Sequence, residues 1–259
     1  MSEAEAAVAM VHAREPAESV LLMRRSERKE DSWSGHWSFP GGRRDVADRD
    51  LLHTALRELE EECGVRLTRG DLKEEMPLRR ARRRSGAAIR VTPFLFRVGA
   101  EPAAVPDGRE AVEACWIPLS FLRDPGRHLL LPVPGHPPET LYPGVMLGRA
   151  PLWGFTYRLI CDWLALGPKP DAAEQAGLEA AVEVLDFLRS RGLELRRGWE
   201  GTRERAAEVA GAIPVAEVLE RFSRPGAYAL SVSCLEVRPE GIRIVGPAFE
   251  EYRIDASGT

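Results

Sequence analysis

No apolar run in this 259-residue chain approaches the roughly 18 residues a helix needs to cross a bilayer, so the sequence excludes a membrane-spanning role. Cysteine is scarce. Cys63, Cys115, Cys161 and Cys234 are scattered without paired spacing, which argues against a disulfide framework and a zinc ribbon and leaves buried thiols as the expectation. Positive charge is missing where a secretory signal would carry it: Glu3 and Glu5 lie at the start, no signal-type apolar stretch follows, and a cytoplasmic location is expected. The formal net charge of -4 gives no global attraction to nucleic acid or an anionic membrane, so any anion recognition must be local. Hydrophobic content of 44% and charged content of 29% are those of an ordinary globular protein, long enough for one large domain or two modest ones.

The segments Val8 to His12 and Ser19 to Met23, separated by a turn signal at Glu15-Pro16, read as two short strands able to pair. Leu51 to Cys63 has helical periodicity, with Asp50 or Asp48 as N-cap and Gly64 placed for a left-handed C-terminal cap. Ile89 to Val98 and Ala114 to Ile117 read as strands, Pro125 to Pro143 as a long irregular loop, and Trp153 to Leu166 as a helix. Gly167-Pro168-Lys169-Pro170 marks a domain boundary, giving domains over 1–168 and 169–259. The second holds helical patterns at Ala173 to Arg191, Thr202 to Ala210 and Val215 to Phe222. A hairpin follows, with arms near Tyr228 to Val237 and Ile242 to Val245.

Chemistry concentrates on the first helix. Glu58, Glu61 and Glu62 stand at i, i+3 and i+4 and share one face spanning about 100°. Leu52, Ala55, Leu56, Leu59 and Cys63 form an apolar stripe on the other side, and Glu60 lies away from the acidic trio. Like charges crowd each other there, and acids near Gly64 face the negative end of the helix dipole. Mg²⁺ or Mn²⁺, hard ions that prefer carboxylate oxygens, would offset that repulsion; a solvated acidic face is the plainer alternative. Gly41-Gly42 ahead of the helix would let backbone N–H groups approach a ligand, and Arg57 would hold a carboxylate bidentately, although a turn and a surface arginine are the ordinary readings of each alone.

Taken together, the run GGRRDVADRDLLHTALRELEEECGV resembles the Nudix hydrolase box, whose pattern is Gly, five residues, Glu, seven residues, Arg-Glu, an aliphatic residue, any residue, Glu-Glu, any residue, Gly and an aliphatic residue. The second half, Arg57 to Val65, matches completely. The first half departs at Asp48, which replaces the Glu and is separated from Arg57 by eight residues instead of seven, so its role is left open. That spacing, with LLMRRS, GHWSFPGG, TALRE, VTPFLF and LWGFTYRL, is similar to the coenzyme A diphosphatase branch of the family over about residues 5 to 166, although Trp33 stands where a histidine is usual.

The resemblance implies an α/β fold, a Nudix-like α/β/α sandwich with a mixed sheet, to which a smaller C-terminal α+β segment of unassigned role would be attached. It further implies a divalent-metal-dependent hydrolase of a diphosphate linkage in a nucleoside diphosphate derivative, with coenzyme A or acyl-CoA as substrate and Mg²⁺ or Mn²⁺ as cofactor. Glu61 and Glu62 would be the principal metal ligands, Glu58 a ligand or general base, Arg57 its orienting partner, and the Gly42 carbonyl a further metal contact. Substrate would be met by Arg25, Gly41, Gly42 and the arginines Arg82, Arg83 and Arg84, which belong to a cluster with Arg79 and Arg80 that reads equally as a solvated loop. Glu110 or Glu113 would add an acid, and His36 and Trp37 would meet a substrate ring or fill the core. The expected partner is a small nucleotide or coenzyme A, without membrane or nucleic acid, in a monomer or a homodimer. An ADP-ribose or nucleotide-sugar diphosphatase is the alternative within enzymes, and a non-catalytic nucleotide- or RNA-binding module the alternative outside them.

Overall fold

The computed structural model describes residues 4–27, 34–82, 88–169, 172–190, 194–195, 209–210, 215–223, 227–238 and 241–255. The chain divides into two compact units, Met1–Arg123 and Asp124–Thr259. Both are mixtures of strand and helix. Among the described residues, no helix is long and apolar enough to cross a membrane.

The first unit contains β1 (Ala4–Glu15), β2 (Ser19–Arg25), β3 (Trp37–Ser38), β4 (Gly41–Arg43), α1 (Leu51–Cys63), β5 (Leu72–Glu75), β6 (Arg79–Arg82), β7 (Ala88–Ala100), β8 (Ala111–Pro118) and α2 (Leu119–Arg123). Its eight strands form one sheet with β1 and β7 at the centre, flanked by β2, β3, β4 and β8 on one side and by β5 and β6 on the other. The β1–β7 pair is parallel and the remaining pairs are antiparallel, which makes the sheet mixed, as the sequence led us to expect. The two strands anticipated around Glu15-Pro16 are β1 and β2, and they pair antiparallel with His12 opposite Val20.

Alanines decide where α1 sits. Ala7, Ala9 and Val11 occupy alternate positions of β1 and pack with Leu52, Ala55, Leu59 and Cys63 of α1. Small side chains on the strand leave room for the helix to approach, while the spacing of three, four and four residues keeps its apolar stripe on the sheet. Burying Leu59 alone contributes about 2 kcal/mol. Of the two candidate caps, Asp50 is the one used: its Oδ1 accepts the His53 N–H at 2.8 Å. At the other end Gly64 adopts φ 66 and its N–H reaches the Glu60 carbonyl, the left-handed cap expected from sequence.

The second unit contains β9 (His128–Pro132), β10 (Thr140–Leu147), β11 (Ala150–Trp153), α3 (Gly154–Leu164), α4 (Ala173–Ser190), β12 (Glu194–Leu195), β13 (Val209–Ala210), α5 (Val215–Phe222), β14 (Cys234–Arg238), β15 (Gly241–Val245) and β16 (Glu251–Asp255). Its main sheet runs β11-β10-β14-β15-β16, with β9 beside β10. Two expectations are corrected here. The stretch Pro125 to Pro143 is not an irregular loop, since it supplies β9 and the start of β10; burial of Leu130 and Leu141 outweighs the local proline signals, and Pro132 sits at a strand end. The fold also does not divide at Gly167–Pro170, because Leu141 of β10 pairs with Leu235 of β14, joining chain from both sides of that point in one sheet.

Helix α4 and the second arm of the hairpin fall where the sequence placed them; the first arm is shorter than expected, since Ala227–Ser231 forms a 3-10 turn and β14 starts at Cys234, and β16 extends the hairpin. The helix expected over Thr202 to Ala210 lies outside the described residues except for Val209–Ala210, which form a strand. All four cysteines are free, and Cys63 is the one that is fully buried.

Candidate active site

The acids of α1 do not play equivalent parts. Glu62 is turned inward and is 2% exposed; its Oε2 accepts the Gly41 N–H at 2.8 Å. Burial pushes its carboxyl up to about 8; the Gly41 N–H and the charge of Arg25 act against this, and Glu58 and Glu110 reinforce it. Glu58 is half-buried and its carboxyl is also raised, first by burial, while Arg57 pulls it down. Glu61 is exposed, and Glu60 points elsewhere, to Arg66 at 2.7 Å.

Arg57 is the hub of the helix face. Its Nη1 lies 2.9 Å from Glu58 Oε1 and 2.9 Å from Glu61 Oε2, so one nitrogen spans two of the three acids. Its other edge is a fork onto Asp48, with Nε donating to Oδ1 at 3.0 Å and Nη2 to Oδ2 at 2.9 Å. Asp48 is buried and accepts two further bonds, from Thr54 Oγ1 at 2.9 Å and from the Asp45 N–H at 2.9 Å. The Arg57 guanidinium, first among these contacts, holds the Asp48 carboxyl far below the usual carboxylate range, and Asp48 in turn raises the arginine. The role left open for Asp48 in the sequence is thus structural: it anchors the guanidinium that orients Glu58 and Glu61. Eight intervening residues still leave Asp48 facing Arg57.

Gly42 explains why the turn needs its glycines. A Cβ on Gly42 would stand 2.3 Å from Glu58 Oε1, inside the space the carboxylate occupies. Gly41 pairs with Val8 and Gly42 with Ala7, so β1 fixes both at the level of the acids.

A loop after β7 closes the far side. Val105 N–H donates to the Cys63 carbonyl at 2.8 Å and Asp107 N–H to the Glu62 carbonyl at 3.2 Å, satisfying the last carbonyls of α1. Asp107 Oδ1 in turn accepts the N–H groups of Arg109, Glu110 and Ala111 at 3.1, 2.9 and 2.8 Å. This brings Glu110 close enough to raise both Glu58 and Glu62. The other candidate, Glu113, is taken by Arg24, whose Nε donates to Oε1 at 2.8 Å. Sequence alone could not choose between them; the separating signal is the Asp107 turn just ahead of Glu110.

The remaining expected residues divide. Arg25 of β2 lies near enough for its charge to act against the upward shift of Glu62. Trp37 is buried in the core at 5% exposure, and His36 is half-buried, its carbonyl accepting the Arg25 N–H at 3.0 Å. Arg79 to Arg82 form strand β6, not a loop. Arg83 and Arg84 lie outside the described residues, as do Trp33 and the side chain of Arg82.

The donor set is all carboxylate oxygen, and a buried glutamate pushed toward its neutral form beside two other acids is a place where a hard cation would repay its binding. Among the described residues, no three histidine, cysteine or acidic side chains are already gathered into a metal-binding group.

The family model of the NUDIX domain matches residues 4–132. The uncharacterized protein C14C4.10c of Schizosaccharomyces pombe is 46% identical over 56 residues, 22% of this chain and 16% of that protein. The mitochondrial coenzyme A diphosphatase NUDT8 of Homo sapiens is 49% identical over 47 residues, 18% of this chain and 20% of its own length. The chain therefore spans about a fifth of the curated relatives it matches. Among solved structures, the Nudix hydrolase RenU of M. smegmatis is 24% identical, with 47% of this chain and 74% of that chain covered at a TM-score of 0.37. The NUDIX domain of Shewanella oneidensis NrtR, complexed with ADP ribose, is 22% identical over 46% of this chain and 75% of that one, at a TM-score of 0.38. Residues 4–132 of this chain are thus a Nudix domain, with the box residues Arg57, Glu58, Glu61 and Glu62 all in place.

Proposed function

We propose that the first unit hydrolyses the diphosphate linkage of a nucleoside diphosphate derivative, with coenzyme A or an acyl-CoA as its substrate. The observation that carries the reaction is the pairing of buried Glu62 with the Arg57-held acids Glu58 and Glu61 on one face of α1. Glu58, Glu61 and Glu62, with the Gly42 carbonyl, would hold Mg²⁺ or Mn²⁺. Such an ion, when bound, supplies charge neutralisation of the diphosphate and activation of the attacking water.

The protein's own groups do the positioning. Gly41 N–H fixes one oxygen of Glu62, and Arg57 fixes Glu58, so neither carboxylate has to be ordered when substrate arrives. Glu58, half-buried and raised by that burial, is placed to take a proton from water at a carboxylate oxygen. Arg25 supplies positive charge on the β2 side for a phosphate oxygen. The choice of coenzyme A is supported by the motifs LLMRRS, GHWSFPGG and TALRE and by the stretch shared with a protein named as a coenzyme A diphosphatase.

A substrate screen with product identification tests both parts. Coenzyme A should yield 3′,5′-ADP and a phosphopantetheine in the presence of Mg²⁺ or Mn²⁺, and excess EDTA should abolish the reaction. A higher kcat/KM for ADP-ribose, with AMP and ribose 5-phosphate as products, would defeat the substrate and leave the reaction standing. Full activity in EDTA would defeat the reaction.

A further inference from the structure

The buried Asp48 carboxylate has a titratable neighbour besides Arg57. His53, in the first turn of α1, places its Nδ1 3.0 Å from Asp48 Oδ1, the oxygen that accepts Arg57 Nε at 3.0 Å. Imidazole and guanidinium thus meet at one oxygen of a side chain that is 1% exposed. The other oxygen, Oδ2, is engaged by Arg57 Nη2, Thr54 Oγ1 and the Asp45 N–H. The His53 ring is 43% exposed, yet its Nδ1 is closed to solvent and makes no aligned hydrogen bond, so Asp48 Oδ1 is the group it faces.

Asp48 stays ionised across the neutral range, because the Arg57 guanidinium holds its carboxyl far below the usual one. A ring lone pair aimed at such an oxygen would be repelled, so in the neutral ring Nδ1 carries the proton and Nε2 is left to titrate. Protonation there turns a neutral contact into a charged one, and charged contacts to a carboxylate are about twice as strong. The other charges around the ring are Asp50, whose Oδ1 accepts the His53 backbone N–H and whose Oδ2 is paired with Arg69, and Arg57 itself one helical turn along. Asp50 favours the charged ring, while Arg57, at i+4, is repelled by it. The charged ring therefore draws Oδ1 to itself and pushes the guanidinium off the Nε edge of its fork, while Nη2 keeps Oδ2. Nη1, which bridges Glu58 and Glu61, belongs to the same rigid plane and moves with it.

We propose that His53 is a further positioning residue of the acid site, one that acts on Glu58 and Glu61 through Asp48 and Arg57. With the ring neutral, Nδ1–H and the fork share Oδ1, and the guanidinium lies along the carboxylate. With the ring charged, His53 competes for that oxygen and the two glutamates lose their alignment, so turnover falls on the acid side of neutrality. The effect on rate rests on the diphosphatase reading of the acid site; the effect on Arg57 does not.

Steady-state kinetics of the full chain with Mg²⁺, on coenzyme A and on ADP-ribose, test the effect on rate. Between about pH 8 and about pH 6 the ratio of His53→Asn to wild-type kcat should rise about threefold or more, with the ratio of KM values steady within about twofold. In an Asp48→Asn background the same substitution should leave the kcat ratio flat, because the path runs through that carboxylate. Nitrogen–proton NMR of the metal-free protein tests the effect on Arg57 without turnover. The Nε–H resonance that is missing from Arg57→Lys should shift with pH in step with the His53 ring. That component should vanish in His53→Asn, while any step owed to Glu58 or Glu62 remains. A kcat ratio that does not change with pH, one that changes equally in the Asp48→Asn background, or an Arg57 resonance indifferent to His53 overturns the proposal. A protein that shows the Arg57 response yet hydrolyses no diphosphate supports the positioning and removes the reaction instead.

Discussion

Arg57 and Asp48 meet edge to edge, two nitrogens on two oxygens at 3.0 and 2.9 Å, with the carboxylate buried and the guanidinium a quarter exposed. The same guanidinium reaches Glu58 and Glu61 with its remaining nitrogen. A residue that touches no reacting atom therefore sets the position of two that are proposed to.

Asp48→Asn should accordingly slow turnover about tenfold or more with little change in KM, since misplacing an aligned group costs rate more than binding. Loss of a buried ionic partner also costs stability, here about 2 kcal/mol once the exposure of Arg57 is discounted. Steady-state kinetics and urea unfolding measure the two effects. A variant with wild-type kcat would show that Arg57 needs no anchor.

The acid side of the stability profile carries the same pair. Arg57 lowers the Asp48 carboxyl below its ordinary value of 3.8, so between that value and the lower folded one the unfolded chain binds the extra proton. Stability from this pair is thus complete above about pH 4 and is lost as pH falls through the folded value. Asp48→Asn should flatten the acid limb of unfolding free energy against pH without abolishing it, because Asp50, Asp107 and Glu251 are lowered as well. An unchanged slope below pH 4 would contradict the assignment.

Glu62 should separate activity from stability. Glu62→Gln is expected to remove most of the turnover, by about a hundredfold or more, yet to leave the melting temperature of the metal-free protein equal or higher, since it relieves a buried carboxylate pushed up to about 8. Parallel activity assays and melts in EDTA decide this. A large drop in melting temperature would mean that Glu62 serves the fold instead.

Gly42→Ala gives an independent check on Glu58. The new Cβ would meet the end of a flexible side chain at 2.3 Å, so Glu58 should move aside at small cost to folding and about tenfold or more cost to kcat. Wild-type kcat in this variant would remove Glu58 from the reaction.

Cutting the chain after Pro168 should destabilise what remains of the second unit. Leu130 and Leu141 are fully buried among residues of α4, α5 and β14 to β16, all of which the cut removes. Binding of a hydrophobic dye, or aggregation, should rise relative to the full chain. A monomeric product that binds no more dye than the full chain would show that these leucines find cover without the missing segment.

Much of the acid site was legible because its determinants are local. Three glutamates at i, i+3 and i+4 share a face by helix geometry alone, and an apolar stripe at the complementary positions fixes which way that face turns. The caps at Asp50 and Gly64, the β1–β2 pair and the β14–β15 hairpin depend on neighbours a few residues apart, and so they too can be read from the chain. What the sequence determined by itself is therefore the acidic helix, the spacing of its acids and the family whose box they match.

Relations across distance had to come from the tertiary structure. Burial of Glu62 and exposure of Glu61 follow from how closely α1 approaches Gly41, which Ala7 and Ala9 of β1 permit. The nearness of Glu110 to Glu58 and Glu62 follows from a loop bonded to the end of α1. The placing of Pro125 to Pro143 in a sheet follows from a partner strand more than ninety residues later, at Leu235. A local proline signal cannot report that partner, because the energy that decides the segment is burial of Leu130 and Leu141 against distant chain, and burial exists only once the chain has folded.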